Sequence, residues 1–246
     1  MADNINYLAL RAQQGLEKRI AAAANNLANS STNGFKADDV LFREALARPA
    51  RAEDRPRDIR FVRDAGLARD FAQGPIAQTN GSLDLAIEGE GFFTVQGEAG
   101  PLYTRDGAFQ LNADGGLVTR DGRAVLDATG QPIVFDPRGQ RPEIDAQGRI
   151  RVGAANVATL GLAEFENPAI LSKIGDNLFD ARGEADPTPF TGTLVQGAIE
   201  GSNVRPILEL TELLQVSRAY QGAAQIVSDA DDLRQRAIQR LSGFGA

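Results

Sequence analysis

The chain contains no cysteine, no histidine, no tryptophan and a single methionine. Without Cys there is no disulfide, no thiol nucleophile and no thiolate metal ligand. The missing His removes more, taking away the usual general base, the His-containing catalytic triads and the commonest metal ligand together. Three Tyr and no Trp leave few exposed rings to stack on a sugar. There is no run of eighteen apolar residues, and the N-terminal stretch lacks the basic and continuous apolar regions of a cleaved leader. Neither membrane insertion nor Sec-type export is therefore expected. Lysine is also scarce: only Lys18, Lys36 and Lys173 accompany 23 Arg, and the net charge is −7. An acidic balance of that size argues against a broad electrostatic footprint for nucleic acid or anionic lipid.

What is present divides by periodicity. From Ser202 to Leu241 the chain runs without a turn signal except Gly222, and Leu210, Leu213, Val216, Tyr220, Ala223, Val227, Ala230, Leu233, Ala237 and Leu241 recur at steps of three and four. This predicts a long amphipathic helix with Asn203 as its cap and Pro206 in its first turn. About 37 residues at 1.5 Å each make a rod of roughly 55 Å, longer than a small domain is wide. The apolar stripe therefore needs a partner along most of that length. Asn4 to Asn29 is the second helical stretch, with Leu8, Ala12, Leu16, Ile20 and Leu27 on one stripe and Asn33-Gly34 as its stop. Asn25, Asn26, Asn29 and Asn33 interrupt it with amides. They read either as fraying toward a turn or as polar residues that fix the alignment of a helix seam.

Between the helices the pattern changes twice. Arg43 to Asp70 carries eight Arg and six acidic residues, with a short alternating strand at Asp58 to Arg63, and reads as a solvated extended connector rather than a nucleic-acid arm. From Ile76 to about Val195 the helical period vanishes. Asp106-Gly107, Asp114-Gly115, Asp121-Gly122, Thr129-Gly130, Arg138-Gly139 and Gln147-Gly148 punctuate short β-rich pieces, as hairpins of an antiparallel β domain would.

No catalytic constellation accompanies this layout. Glu88 and Glu90 share a strand face in spacing alone, but Gly89 and Gly91 mark a turn there. Gly89-x-Gly91 lacks the third glycine of a dinucleotide site, and Asp229, Asp231 and Asp232 lack the Gly and distal Glu of a calcium loop. No catalytic, cofactor-binding or metal site is expected, which leaves binding or assembly.

Three sequence motifs give that remainder a direction. Ala24-Asn25-Asn26-Leu27-Ala28-Asn29 followed by Thr32-Asn33-Gly34-Phe35-Lys36 resembles the N-terminal signature of the bacterial flagellar rod and hook proteins. Leu83 to Phe93 and Tyr103-Thr104-Arg105-Asp106-Gly107-Ala108-Phe109 are similar to the central domain of that family. Gln196-Gly197, Glu200-Gly201-Ser202-Asn203-Val204 and Ser217-Arg218-Ala219-Tyr220 resemble its C-terminal signature. The order matches and the motifs span almost the whole chain; Asn33 and Ser30-Ser31 depart from the commoner residues. Within the family, Arg60-Phe61-Val62 and Gly175-Asp176-Asn177-Leu178-Phe179 look most like a proximal rod member, with distal members the near neighbours.

The resemblance implies a structural subunit of the flagellar rod, a drive shaft crossing the periplasm, with the two terminal helices in a coiled-coil inner layer and the β domain outside. It further implies transit through the flagellar type III export machinery without a cleaved leader, and partners that are copies of the chain and neighbouring rod subunits. The expected fold is thus α+β: an N-terminal helix in 1–33, an extended connector in 34–75, a central antiparallel β domain, barrel- or sandwich-like, in 76–195, and the C-terminal helix in 196–246. The expected assembly interface comprises Leu8, Leu16, Ile20, Asn25, Asn26, Leu27, Asn29 and Phe35 from the first part. From the last it takes Asn203, Val204, Leu210, Leu213, Leu214, Val216, Arg218, Tyr220, Val227, Leu233 and Leu241. The alternatives are a secreted β module that binds carbohydrate or peptidoglycan, and, behind it, a hydrolase using Glu88.

Overall fold

Two long helices bracket the chain: α1 spans Ala2–Ala28 and α2 spans Pro206–Ser242. In this computed structural model the described residues are 2–47, 59–136, 139–181, 183 and 186–242. Side chains are described from Leu10 to Val40 and from Ala68 onward, and within α2 mainly to Asp229. The fold is α+β, with the strands between Ile76 and Glu200 paired antiparallel. The chain separates into two units, one of residues 1–28, 38–68 and 205–246, the other of 29–37 and 69–204.

In the first unit α1 and α2 pack on each other. The Ala-rich segment Ala21 to Ala24 sustains α1 by propensity and supplies Ala23, which is 4% exposed. A methyl at that position allows close approach of a neighbouring helix. Pro206 opens α2, where its missing N–H costs nothing, and Glu209 in the first turn suits the helix dipole. Asn203 does not cap this helix. Its amide is committed elsewhere, and Arg205 supplies the carbonyl that accepts from the N–H groups of Leu208 and Glu209. Within the expected connector, strands Asp38–Ala47 and Ile59–Arg69 pair as a two-stranded sheet. The first of them packs on α1 and is held there by Asn26.

The second unit is built of antiparallel sheets. Its largest has five strands in the order 162–163, 92–96, 101–104, 178–180 and 172–175; a three-stranded sheet follows the order 155–159, 149–152 and 143–144. The strand Leu85–Glu88 pairs with Thr193–Gln196, and Ile76–Gln78 with Ala198–Glu200. Two apolar clusters fill it. The larger is centred on fully buried Leu85, Phe93, Val95, Val125 and Ile150, and the smaller on Phe92, Tyr103, Phe165 and Phe179.

The regular spacing of glycines has a common cause. Asn112–Gly116, Thr119–Arg123, Asp127–Gln131 and Asp145–Arg149 are four loops of one construction. In each, the N–H of a Gly at the fourth position donates to the carbonyl of the first residue. The N–H of the first residue donates to the carbonyl of the fifth, and the N–H of the fifth donates to the side-chain oxygen of the first. The glycines sit at φ +81°, +87°, +81° and +81°, a left-handed conformation that other residues adopt only with strain. Asp106-Gly107 is a different device. Gly107 is needed because its backbone lies against Leu85, so that a Cβ would stand 1.8 Å from the Leu85 carbonyl oxygen. Arg138-Gly139 falls partly outside the described residues.

Candidate assembly surface

In the second unit, three charged side chains far apart in sequence meet in the interior. Lys36, Arg105 and Glu200 are 1%, 4% and 1% exposed. Lys36 Nζ donates to Glu200 Oε1 at 2.7 Å and to the Ala72 carbonyl at 2.7 Å; Arg105 Nη1 donates to Glu200 Oε2 at 3.1 Å and Nη2 to the Gly89 carbonyl at 2.8 Å. The Gly74 N–H also donates to Glu200 Oε1, at 2.8 Å. Burial pushes Lys36 below the ordinary lysine range and Arg105 below its own, with Glu200 opposing both shifts. Arg105 also lies over the Phe92 ring, and Lys173 over that of Phe35 at 4.0 Å.

Around this ion triple, Asn203 joins two further segments. Its Oδ1 accepts from the Ala37 N–H at 2.8 Å, and its Nδ2 donates to the carbonyls of Asp70 and Ala72 at 2.8 and 3.1 Å. The Gly34 N–H donates to the Glu200 carbonyl at 2.8 Å. Residues 33–37, 70–74 and 200–204 are thereby stitched together.

The helical unit places the expected interface residues unevenly. Val216 is 3% exposed, whereas Leu16, Ile20, Leu27, Leu213, Tyr220 and Val227 are half-buried. Leu210 and Leu214 are 49% and 51% exposed, and Ile207, Leu208 and Ile226 reach 80%, 58% and 56%. Of the stripe expected on α2, Leu213, Val216, Tyr220, Ala223 and Val227 are buried or half-buried and Leu210 is exposed, while Ile207, Leu208, Leu214 and Ile226 form a second, exposed apolar set outside that stripe. Asn25 and Arg218 lie at the surface. Asn26 is buried, and its amide exchanges two 2.9 Å bonds with the backbone of Asp38 while its side chain also bonds Glu209 of α2. Asn29 is half-buried and accepts from the Thr32 hydroxyl. In the other unit Phe35 and Val204 are buried and Asn203 half-buried. The side chains of Leu8, Leu233 and Leu241 lie outside the described residues. Arg19 and Glu212 form an ion pair between α1 and α2.

Three family models match the chain. Residues 7–36 match the flagella basal body rod protein, residues 86–152 the flagellar hook protein FlgE/F/G D1 domain, and residues 195–240 the flagellar basal body rod FlgEFG protein C-terminal. A flagellar basal-body rod protein FlgF of Caulobacter vibrioides is 40% identical over 97% of this chain and 98% of the relative. The chain belongs to the flagellar basal-body rod proteins. The FlgF protein of Mesorhizobium japonicum is 33% identical over 98% of both. A FlgG protein of Buchnera aphidicola subsp. Baizongia pistaciae is 34% identical over 87% of this chain and 90% of the relative. As a member of the rod family, the protein is a structural subunit of the flagellar basal body.

Set against these matches, the buried ion triple takes one residue from each matched segment: Lys36, Arg105 and Glu200. All three stand within the motifs named above, where nothing in the sequence gives them a role. Glu88 and Glu90 are exposed, beside Gly89 and Gly91 at φ +107° and +131°. Among the described residues there is no group of acidic side chains arranged to hold a metal, and no helix is long and apolar enough to cross a membrane.

Proposed function

We propose that this rod protein polymerises through its two terminal helices into a coiled-coil inner layer, with the β unit outside, to form a tube that carries motor torque toward hook and filament. The observation that carries the reading is the row Ile207, Leu210 and Leu214, spaced three and four apart on α2, apolar and 80%, 49% and 51% exposed even with α1 in place. A single chain leaves this surface in water, and side-by-side helices from neighbouring subunits would cover it. Contacts of that kind are heterologous and need not close, so the array can lengthen.

Family membership and the sequence support the remaining features. The proximal rod is favoured because the FlgF relative matches 40% of residues over 97% of the chain, against 34% over 87% for the FlgG relative. Partners are copies of the chain and other rod subunits, with the type III export apparatus in transit and the periplasm as the final setting. The inner layer is drawn at 1–33 and 196–246, the connector at 34–75 and the β domain at 76–195. The interface residues are those named above from Leu8 to Phe35 and from Asn203 to Leu241, and the protein acts without catalysis.

The test is Leu210→Asp with Leu214→Asp in a strain lacking the native protein. Both sites are exposed, so the purified variant should keep its circular dichroism while cells lose rods and swimming. Normal swimming with a stably expressed variant would overturn the proposal.

A further inference from the structure

We infer that the Lys36–Glu200–Arg105 node is a clasp that opens on its own: it fixes the segment entering the β unit beside the segment leaving it, and releases them while the β core stays folded. The entering segment, 33–37, follows α1; the leaving segment, 200–204, precedes α2. They are joined by the Gly34 N–H to the Glu200 carbonyl, the Asn203 N–H to the Phe35 carbonyl at 3.3 Å, and the Ala37 N–H to Asn203 Oδ1.

Almost everything that holds this region is polar. Lys36, Glu200, Arg105 and Asn203 supply most of its side-chain bonds and Asn177 Nδ2 adds one to the Asn33 carbonyl, whereas its buried apolar groups, Phe35 and Val204, belong to neither hydrophobic cluster. Regular strand pairing beside it is short, three residues of Ile76–Gln78 against three of Ala198–Glu200. Removing three charges from water costs much of what their attraction returns, so the triple selects one arrangement more than it adds stability. Arg105 Nε finds no protein acceptor, so the node is left with an unmet donor. Arg105 touches the core through the Phe92 ring, and a segment bound mainly by polar contacts opens at lower free energy than the core. This device is independent of the assembly proposal and holds for a chain that never polymerises.

Amide hydrogen exchange on the full chain tests it. In the native protein the N–H groups of Gly34, Ala37, Gly74 and Asn203 should exchange at least about tenfold faster than those of Leu117, Val125 and Leu126 in the core. Glu200→Gln should speed the first set by a further factor of about ten or more and leave the second within about twofold. Equal protection of the two sets in the native protein would overturn the clasp even if the variant did not fold. So would a variant that exposes both sets together, or neither.

Discussion

Arg105 shows what a single side chain does in this fold. Its two Nη groups reach Glu200 and the Gly89 carbonyl at once, which needs a planar fork with separate donors. Arg105→Lys keeps the charge but offers one donor point, so the β unit should lose about 1–3 kcal/mol in denaturant unfolding. Gly107 is bound by geometry rather than charge. Gly107→Ala puts a Cβ 1.8 Å from a backbone oxygen that cannot move freely, and a loss above about 3 kcal/mol is expected. Gly122→Ala is the contrast: the space beyond it is open and only its φ of +87° is strained, so the loss should be about 1 kcal/mol. Urea midpoints for the two variants check the order. None of the three charged residues of the node could be placed from the sequence, because Lys36 and Glu200 are 164 positions apart and isolated charges read as solvated. Asn203 was legible as a special residue but not its use, since an Asn before a helix is as good a cap as it is a bridge.

At the scale of elements, both helices were legible because a period of three to four survives over many turns. The four β loops were legible from their glycines, which left-handed φ values demand. The pairing of 38–47 with 59–69 was hidden under dense charge, and only Asp58 to Arg63 showed alternation. The second apolar set on α2, Ile207, Leu208, Leu214 and Ile226, was hidden too: the stripe that another helix covers masks apolar residues at neighbouring positions that stay exposed. One titration follows from this packing. Glu209, half-buried on α2, accepts a hydrogen bond from Asn26 and lies near Asp39 and Glu212; burial raises its pKa above the ordinary value of 4.5. A carboxyl raised in the folded state binds its proton more tightly there than in the unfolded chain. Its contribution is therefore present at acid pH and fades as pH climbs from 4.5 through the raised value. Melting followed by helix circular dichroism should show the fade, and Glu209→Gln should flatten that part of the profile. The Arg19–Glu212 pair, more than a third exposed on both sides, should add at most about 1 kcal/mol and weaken with salt.

For the whole molecule, the arrangement couples a β unit with its own core to a helical unit that leaves apolar surface in water. Ile207, Leu210, Leu214 and Ile226 would be a liability on a monomer, and the proposed assembly would cover them. With a net charge of −7 the free chain gains solubility that offsets this exposure until partners are at hand. The absence of cysteine makes the claim directly measurable. Leu214→Cys and Ile226→Cys, introduced singly and expressed in place of the native protein, give one thiol per subunit in otherwise thiol-free chains. Treatment of purified basal bodies with a thiol-reactive photo-cross-linker should join each variant to a neighbouring rod subunit and shield it from alkylation before disassembly. Full alkylation of both positions in intact basal bodies, with no cross-linked product, would contradict assembly through this helical face.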